Sequence, residues 1–136
     1  MLDDAPLKVC FLVDTVKYDA GTEKLIPALA TRLDHSRFEP HVCCFGDSER
    51  LSDLSSRLHT AVFPLERVYS PAGLRQMWRF RKYIEQHRID VVHSFMTKAD
   101  IFGVISSLGL GRHAVVTSRL NSGYWYRRGI SGYIEF

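Results

Sequence analysis

The sequence predicts an α/β domain of three layers, with helices on both faces of a parallel sheet of about five or six strands. Three observations carry this. Strand-like and helix-like segments alternate along residues 7–118, which implies βαβ units and right-handed crossovers. The first strand-like segment, Lys8-Val9-Cys10-Phe11-Leu12-Val13, is a nearly continuous apolar run, as expected of a strand covered on both faces. The chain has 136 residues, 46% of them hydrophobic, which fits one domain whose core needs neither disulfides nor metals.

The elements follow in order. After the first strand, Thr22-Glu23-Lys24 opens a helix with Leu25, Ile26, Leu29, Ala30 and Leu33 on one side; Thr22 is its expected N-cap, and Pro27 is expected to delay or bend it. Residues 38–45 read as a second strand, 49–58 as a short polar helix and 61–65 as a brief third strand. Ser70-Pro71 starts a longer helix, with proline at the first helical position and Leu74, Met77, Trp78 and Ile84 as the inward stripe, ending near His87 or Arg88. Residues 90–95 are the fourth strand. A helix over 98–108 sets Ile101, Ile105 and Leu108 inward, Gly109 and Gly111 punctuate its end, and 113–117 are the fifth strand. Residues 119–136 read differently, as a basic aromatic loop and the start of a further element.

The composition excludes several classes. A formal charge of +3 is too small to argue for nucleic acid. Cys10, Cys43 and Cys44 have neither the count nor the spacing of a disulfide framework and read as small core residues; Cys43 and Cys44, as neighbours in a strand, face opposite sides. No apolar run has the length of a membrane span, and Asp3 and Asp4 stand where a signal peptide carries basic residues, so a cytoplasmic location is expected. His35, His41, His59, His87 and His113 show no metal-ligand spacing, so no metal site is expected.

In a parallel sheet, ligands bind outside the carboxyl ends of the strands. That rule selects residues 14–23, Gly46-Asp47-Ser48, residues 95–98 and residues 118–126. Gly21 and Thr22 stand at a helix start, where free N–H groups and the helix dipole favour an anion; the alternative is a turn glycine and a capping threonine. No dinucleotide or P-loop glycine motif is present. His93 and Phe95 face one side of the fourth strand, and a core role for His93 competes with a catalytic one. Lys98 stands at a strand-to-helix mouth, where it meets a phosphate or sugar carboxylate, or solvent. Asp100, in the first helical turn, complements the dipole. Arg119, Asn121, Tyr124, Trp125, Tyr126, Arg127 and Arg128 suit stacking on sugars and pairing with phosphate, or packing on a further part of the protein.

Taken together and in order, these segments resemble the N-terminal domain of retaining family 4 glycosyltransferases with the GT-B fold. The residues that carry the resemblance are Lys8–Val13, Ala20-Gly21-Thr22-Glu23 in place of a Gly-Gly-x-Glu turn, and Phe38-Glu39-Pro40-His41-Val42. They continue with Tyr69-Ser70-Pro71, Ile89-Asp90-Val91-Val92-His93-Ser94, Lys98-Ala99-Asp100, and Val115-Val116-Thr117-Ser118-Arg119 before Tyr124-Trp125. The resemblance implies a Rossmann-like domain over 7–118 and transfer of a sugar from a nucleotide-sugar donor to a sugar or lipid-linked acceptor, with no cofactor and no metal. It implies that Gly21 and Thr22 face the donor diphosphate, that Lys98, Arg119, Asn121 and Trp125 line the acceptor side, and that His93 is the catalytic candidate. It also implies a C-terminal domain, outside these residues, without which the chain is inactive. Two positions depart from the family pattern: Phe95 stands where many members place a cleft histidine, and Ala20 replaces the first glycine.

Other readings stay open on the sequence. One is a stand-alone flavodoxin-like binding or regulatory module, although no aspartate ends the third strand for a receiver-type phosphorylation. Another is peripheral membrane contact through the Arg-rich helix and the Tyr-Trp-Tyr segment, which is compatible with the transferase reading.

Overall fold

A computed structural model of the chain describes residues 4–16, 21–111 and 113–118, with the backbone alone at 21–23. The element order is β1 (Leu7–Val13), α1 (Gly21–Arg32), β2 (Phe38–Cys44), α2 (Glu49–Ser55), β3 (His59–Val62), α3 (Pro71–His87), β4 (Val91–Phe95), α4 (Thr97–Ser107) and β5 (Ala114–Ser118). The five strands form one parallel sheet in the order β3-β2-β1-β4-β5. This is a Rossmann-like α/β fold, as the sequence predicts.

The central strand explains its own composition. Cys10 and Leu12 of β1 enter one core cluster, which α3 and α4 cover with Met77, Phe80, Ile84 and Phe102. Phe11 and Val13 enter a second cluster on the other face, under Ile26 and Ala30 of α1 and Leu51 and Leu54 of α2. Both faces of β1 are buried, so alternation disappears from its sequence. All three cysteines are fully buried and unpaired, with Cys43 in the first cluster and Cys44 in the second. Asp90 closes the foot of the sheet: its Oδ2 accepts from the Lys8 amide at 2.8 Å, its own amide donates to Lys8 O, and its carbonyl accepts from the Ala114 amide.

The structure corrects several expectations. The stripe of α3 that faces the sheet is Gly73, Met77, Phe80 and Ile84, while Leu74 and Trp78 are 64% and 57% exposed. Gly73 sets this phase. A Cβ there would lie 2.2 Å from the Val68 carbonyl oxygen, so only glycine lets the first turn of α3 sit against the preceding loop. The inward face of α4 is likewise built from Ala99, Phe102, Gly103 and Ser106, with Ile105 and Leu108 exposed. In both helices a glycine at the closest approach, Gly73 or Gly103, sets which face turns inward. The helix at 49 stops at Ser55, and the third strand is His59–Val62 rather than 61–65. Being an edge strand, β3 is only half-buried; the apolar residues Phe63 and Leu65 just after it dive into the core and mimic a strand. Thr22 lies inside the first turn of α1, not at its cap, and the helix runs through Pro27 unbroken.

Candidate functional site

The connections to α1 and α4 leave the sheet on opposite faces, so the strand order reverses between β1 and β4. The carboxyl ends of those two strands form the topological switch point, the place where a sheet of this kind binds ligands. Gly21 and Thr22 open α1 on one side of it, where the first-turn N–H groups have no helical acceptor. The loop after β1 is anchored from the neighbouring turn. Phe45 N donates to Asp14 O at 2.9 Å, and Ser48 Oγ donates to Val16 O at 2.5 Å while accepting from Leu51 N as the cap of α2.

On the other side, His93 sits in β4 beside Phe11 of β1. Its Nε2 lies 2.8 Å from Ser118 Oγ at the end of β5. Burial pushes the His93 imidazole below the ordinary histidine value, and the Asp100 carboxylate pulls in the opposite direction. The ring is therefore neutral at physiological pH, with one nitrogen as donor and the other as acceptor. Ser94, on the opposite face of β4, donates to Asp100 Oδ1 at 2.6 Å, and both residues are buried. This bond fixes the start of α4 to the end of β4, so Asp100 does more than complement a dipole.

Between them stands Met96, the N-cap of α4, with φ 80° and ψ 151°. That region is essentially reserved for glycine and costs a methionine on the order of 1–3 kcal/mol. Lys98, at the same mouth, bonds Leu65 O at 3.0 Å through Nζ, with the Phe45 ring 5.5 Å away. Its ammonium ties α4 to the loop after β3 and keeps further donors for a ligand. Phe95 is 3% exposed and stacks on His93 with ring centroids 4.3 Å apart. It forms an apolar wall behind the histidine instead of projecting a polar group.

Residues 20–134 match the sequence profile of the family described as "Glycosyl transferase 4-like domain". The chain belongs to this family. Its fold also matches a solved structure described as the crystal structure of a glycosyltransferase from Rickettsia africae ESF-5. The TM-score is 0.64 at 12% identity, over 92% of this chain and 34% of that one. The chain thus spans about a third of that protein's length, and at this identity the match speaks for the fold alone. No curated protein matches the sequence.

In this glycosyl transferase 4-like domain, Gly21, Thr22, His93 and Lys98 all fall at or near the carboxyl edge of the sheet, with Gly21 and His93 flanking the switch point. Arg119, Asn121 and Trp125 lie outside the described residues. Ser118 and Met96 fall within the loops selected at 118–126 and 95–98, but nothing in the sequence singles out either as a site residue. Ser118 becomes visible only through the β4–β5 register, which pairs Phe95 with Ser118 and so brings its hydroxyl over His93. Met96 carried no signal, since nothing in its identity announces a positive φ. No helix among the described residues is long and apolar enough to cross a membrane.

Proposed function

We propose that this domain is the N-terminal, acceptor-side part of a retaining glycosyltransferase that moves a sugar from a nucleotide-sugar to a hydroxyl-bearing acceptor and needs a second domain for turnover. The observation that carries the reading is the switch point between β1 and β4, with the α1 N-terminus at Gly21 on one side and the neutral His93–Ser118 pair on the other. Backbone N–H groups at Gly21 and Thr22 suit a diphosphate, and glycine lets it come close. The Ser118 hydroxyl, oriented by His93, suits hydrogen bonding to an acceptor sugar, with Lys98 at the same mouth; the family resemblance adds Arg119, Asn121 and Trp125 to the acceptor side. Transfer of this kind uses no cofactor and no catalytic metal, since the leaving diphosphate is stabilised by backbone donors and basic side chains. The threefold greater length of the matched glycosyltransferase supports a second domain that binds the nucleotide. The test is a transfer assay on the product of the complete reading frame with a panel of nucleotide-sugars and chelator present. Donor-dependent transfer is expected, with none from residues 1–136 alone; a complete product that neither transfers nor hydrolyses any nucleotide-sugar removes the reading.

A specific observation favours peripheral membrane contact as well. Leu74 and Trp78 point outward from α3 beside Arg75, Arg79 and Lys82, and the Lys82 ammonium sits 3.8 Å over the Trp78 ring. An exposed apolar ridge lined with cations fits an anionic bilayer surface, where a lipid-linked acceptor would lie. Co-sedimentation with vesicles containing phosphatidylglycerol, but not with phosphatidylcholine alone, is expected to be lost in Trp78→Asp.

A further inference from the structure

The opposite edge of the sheet holds a second cluster, unrelated to the switch point. Glu39 and His41 lie two residues apart on β2, so they share the face covered by α3, and the register sets His59 of β3 directly beside His41. Glu39 Oε1 is 3.1 Å from His41 Nε2 and 3.5 Å from His59 Nε2, and the three ligand atoms all lie within 4.8 Å of one another. We propose that Glu39, His41 and His59 bind a divalent transition-metal ion of the zinc type, clipping the edge strand β3 to β2.

The spacing fits such an ion. Zinc bonds nitrogen and carboxylate oxygen at about 2.0–2.2 Å, which sets neighbouring ligands of a tetrahedron about 3.3–3.5 Å apart. Two of the three separations are already near that value, and His59, more than half exposed, can swing to set the third. Two imidazoles and one carboxylate select zinc over calcium or magnesium, which prefer oxygen. The exposed side of His59 and Glu39 leaves a position for water.

The surroundings prepare the buried ligand. The His41 ring is fully buried between the stacked His59 ring at 4.5 Å and the edges of Tyr83 and His87, at 5.7 and 5.3 Å. Without metal, Glu39 accepts the Nε2–H proton of His41, and the Tyr83 hydroxyl donates to Nδ1 across 2.6 Å. Metal binding requires the other tautomer. The proton leaves Nε2 and resides on Nδ1, where it is donated to Tyr83 Oη, and the tyrosine hydroxyl turns to the Cys43 sulfur beside it. The ring stays neutral throughout, and such an outer partner is what holds a ligating histidine in register. The cluster also lies against the carboxyl end of α3, whose dipole favours a cation. The Lys8 ammonium opposes the ion but is occupied by His87 O at 3.1 Å, and its charge helps keep Glu39 ionised.

The test is calorimetric titration of untagged, chelator-stripped protein with zinc chloride, paired with the visible spectrum of the cobalt(II) form. One ion per chain at micromolar or tighter affinity is expected, with cobalt bands of four-coordinate intensity. His59→Ala and Glu39→Gln, both at accessible positions, are each expected to weaken binding at least tenfold, and Tyr83→Phe to weaken it by about tenfold. Circular dichroism checks that each variant is folded. Binding weaker than millimolar, or unchanged by His59→Ala and Glu39→Gln, overturns the site. Loss on His35→Ala instead would place the ion elsewhere and overturn it equally. The readout involves no sugar transfer, so its failure leaves the transferase reading untouched.

Discussion

His93 and Ser118, 25 residues apart in the chain, meet at 2.8 Å across the β4–β5 ladder beside the switch point. The contact joins a neutral imidazole to a hydroxyl at the place where a parallel sheet of this order binds its ligands.

The electrostatics of that imidazole can be measured directly. Burial holds His93 below the ordinary histidine value, while the Asp100 carboxylate works against burial. Removing the carboxylate in Asp100→Asn is therefore expected to lower the His93 pKa further, as followed by the imidazole resonances in an NMR pH titration. A rise, or no change, would mean that Asp100 does not act on His93.

A second histidine governs acid stability. Burial, partly offset by the hydrogen bond to Glu39, pulls His41 down to about 4 from an unfolded value near 6.5. A group whose folded pKa is depressed binds fewer protons when folded, so its stabilisation is present above pH 6.5 and lost as pH falls towards 4. Glu39 acts in the same direction. Burial pushes its carboxyl up, but the bond from His41 and the nearby cations outweigh this and hold it below the ordinary value. In chelator, urea unfolding is expected to show roughly 2 kcal/mol less stability at pH 5 than at pH 7 from His41. His41→Phe should flatten that window, even if the variant is less stable at pH 7.

The phase of α3 separates packing from surface. Met77 is buried and Leu74 and Trp78 are not. Met77→Ala is expected to cost about 2–4 kcal/mol. Leu74→Ala and Trp78→Ala are each expected to cost no more than about 0.5 kcal/mol, the Trp78 value including its exposed cation–π contact with Lys82. Comparable losses at all three positions in denaturant unfolding would instead support the inward stripe of Leu74, Met77 and Trp78 that the hydrophobic residues alone suggest.

Met96 offers a sign test of backbone strain. Glycine is ordinarily the less stable choice beside alanine, through the entropy it loses on folding. At φ 80° the order should invert, with Met96→Gly more stable than Met96→Ala by about 1 kcal/mol or more. Alanine proving the more stable would show that position 96 is not held in that conformation.

These cases also show what a sequence displays and what it hides. The buried apolar run of β1, the Ser70-Pro71 start of α3 and the alternation of elements were all readable, because each rests on local chemistry: Ser70 Oγ caps Gly73 N at 2.9 Å, and Pro71 occupies the first turn. Gly21, Thr22, His93 and Lys98 could be placed at the carboxyl edge from connectivity alone. The facing of α3 and α4 could not, because Gly73 and Gly103 choose those faces by having no side chain, and a hydrophobic count passes over them. Nor could the pairs that depend on register. His41 and His59 become neighbours only through the β2–β3 ladder, and Ser118 reaches His93 only through β4–β5.

In the proposed function the carboxyl edge of the sheet, and not the opposite edge, carries the reaction. The two edges are told apart by kcat/KM for nucleotide-sugar transfer in the complete gene product for wild type, Gly21→Val and His59→Ala. A branched side chain at Gly21 is expected to lower kcat/KM at least tenfold by blocking the diphosphate, while His59→Ala, at the far edge, leaves it within about twofold. Unimpaired transfer by a folded Gly21→Val protein would mean that the donor diphosphate does not bind at the start of α1.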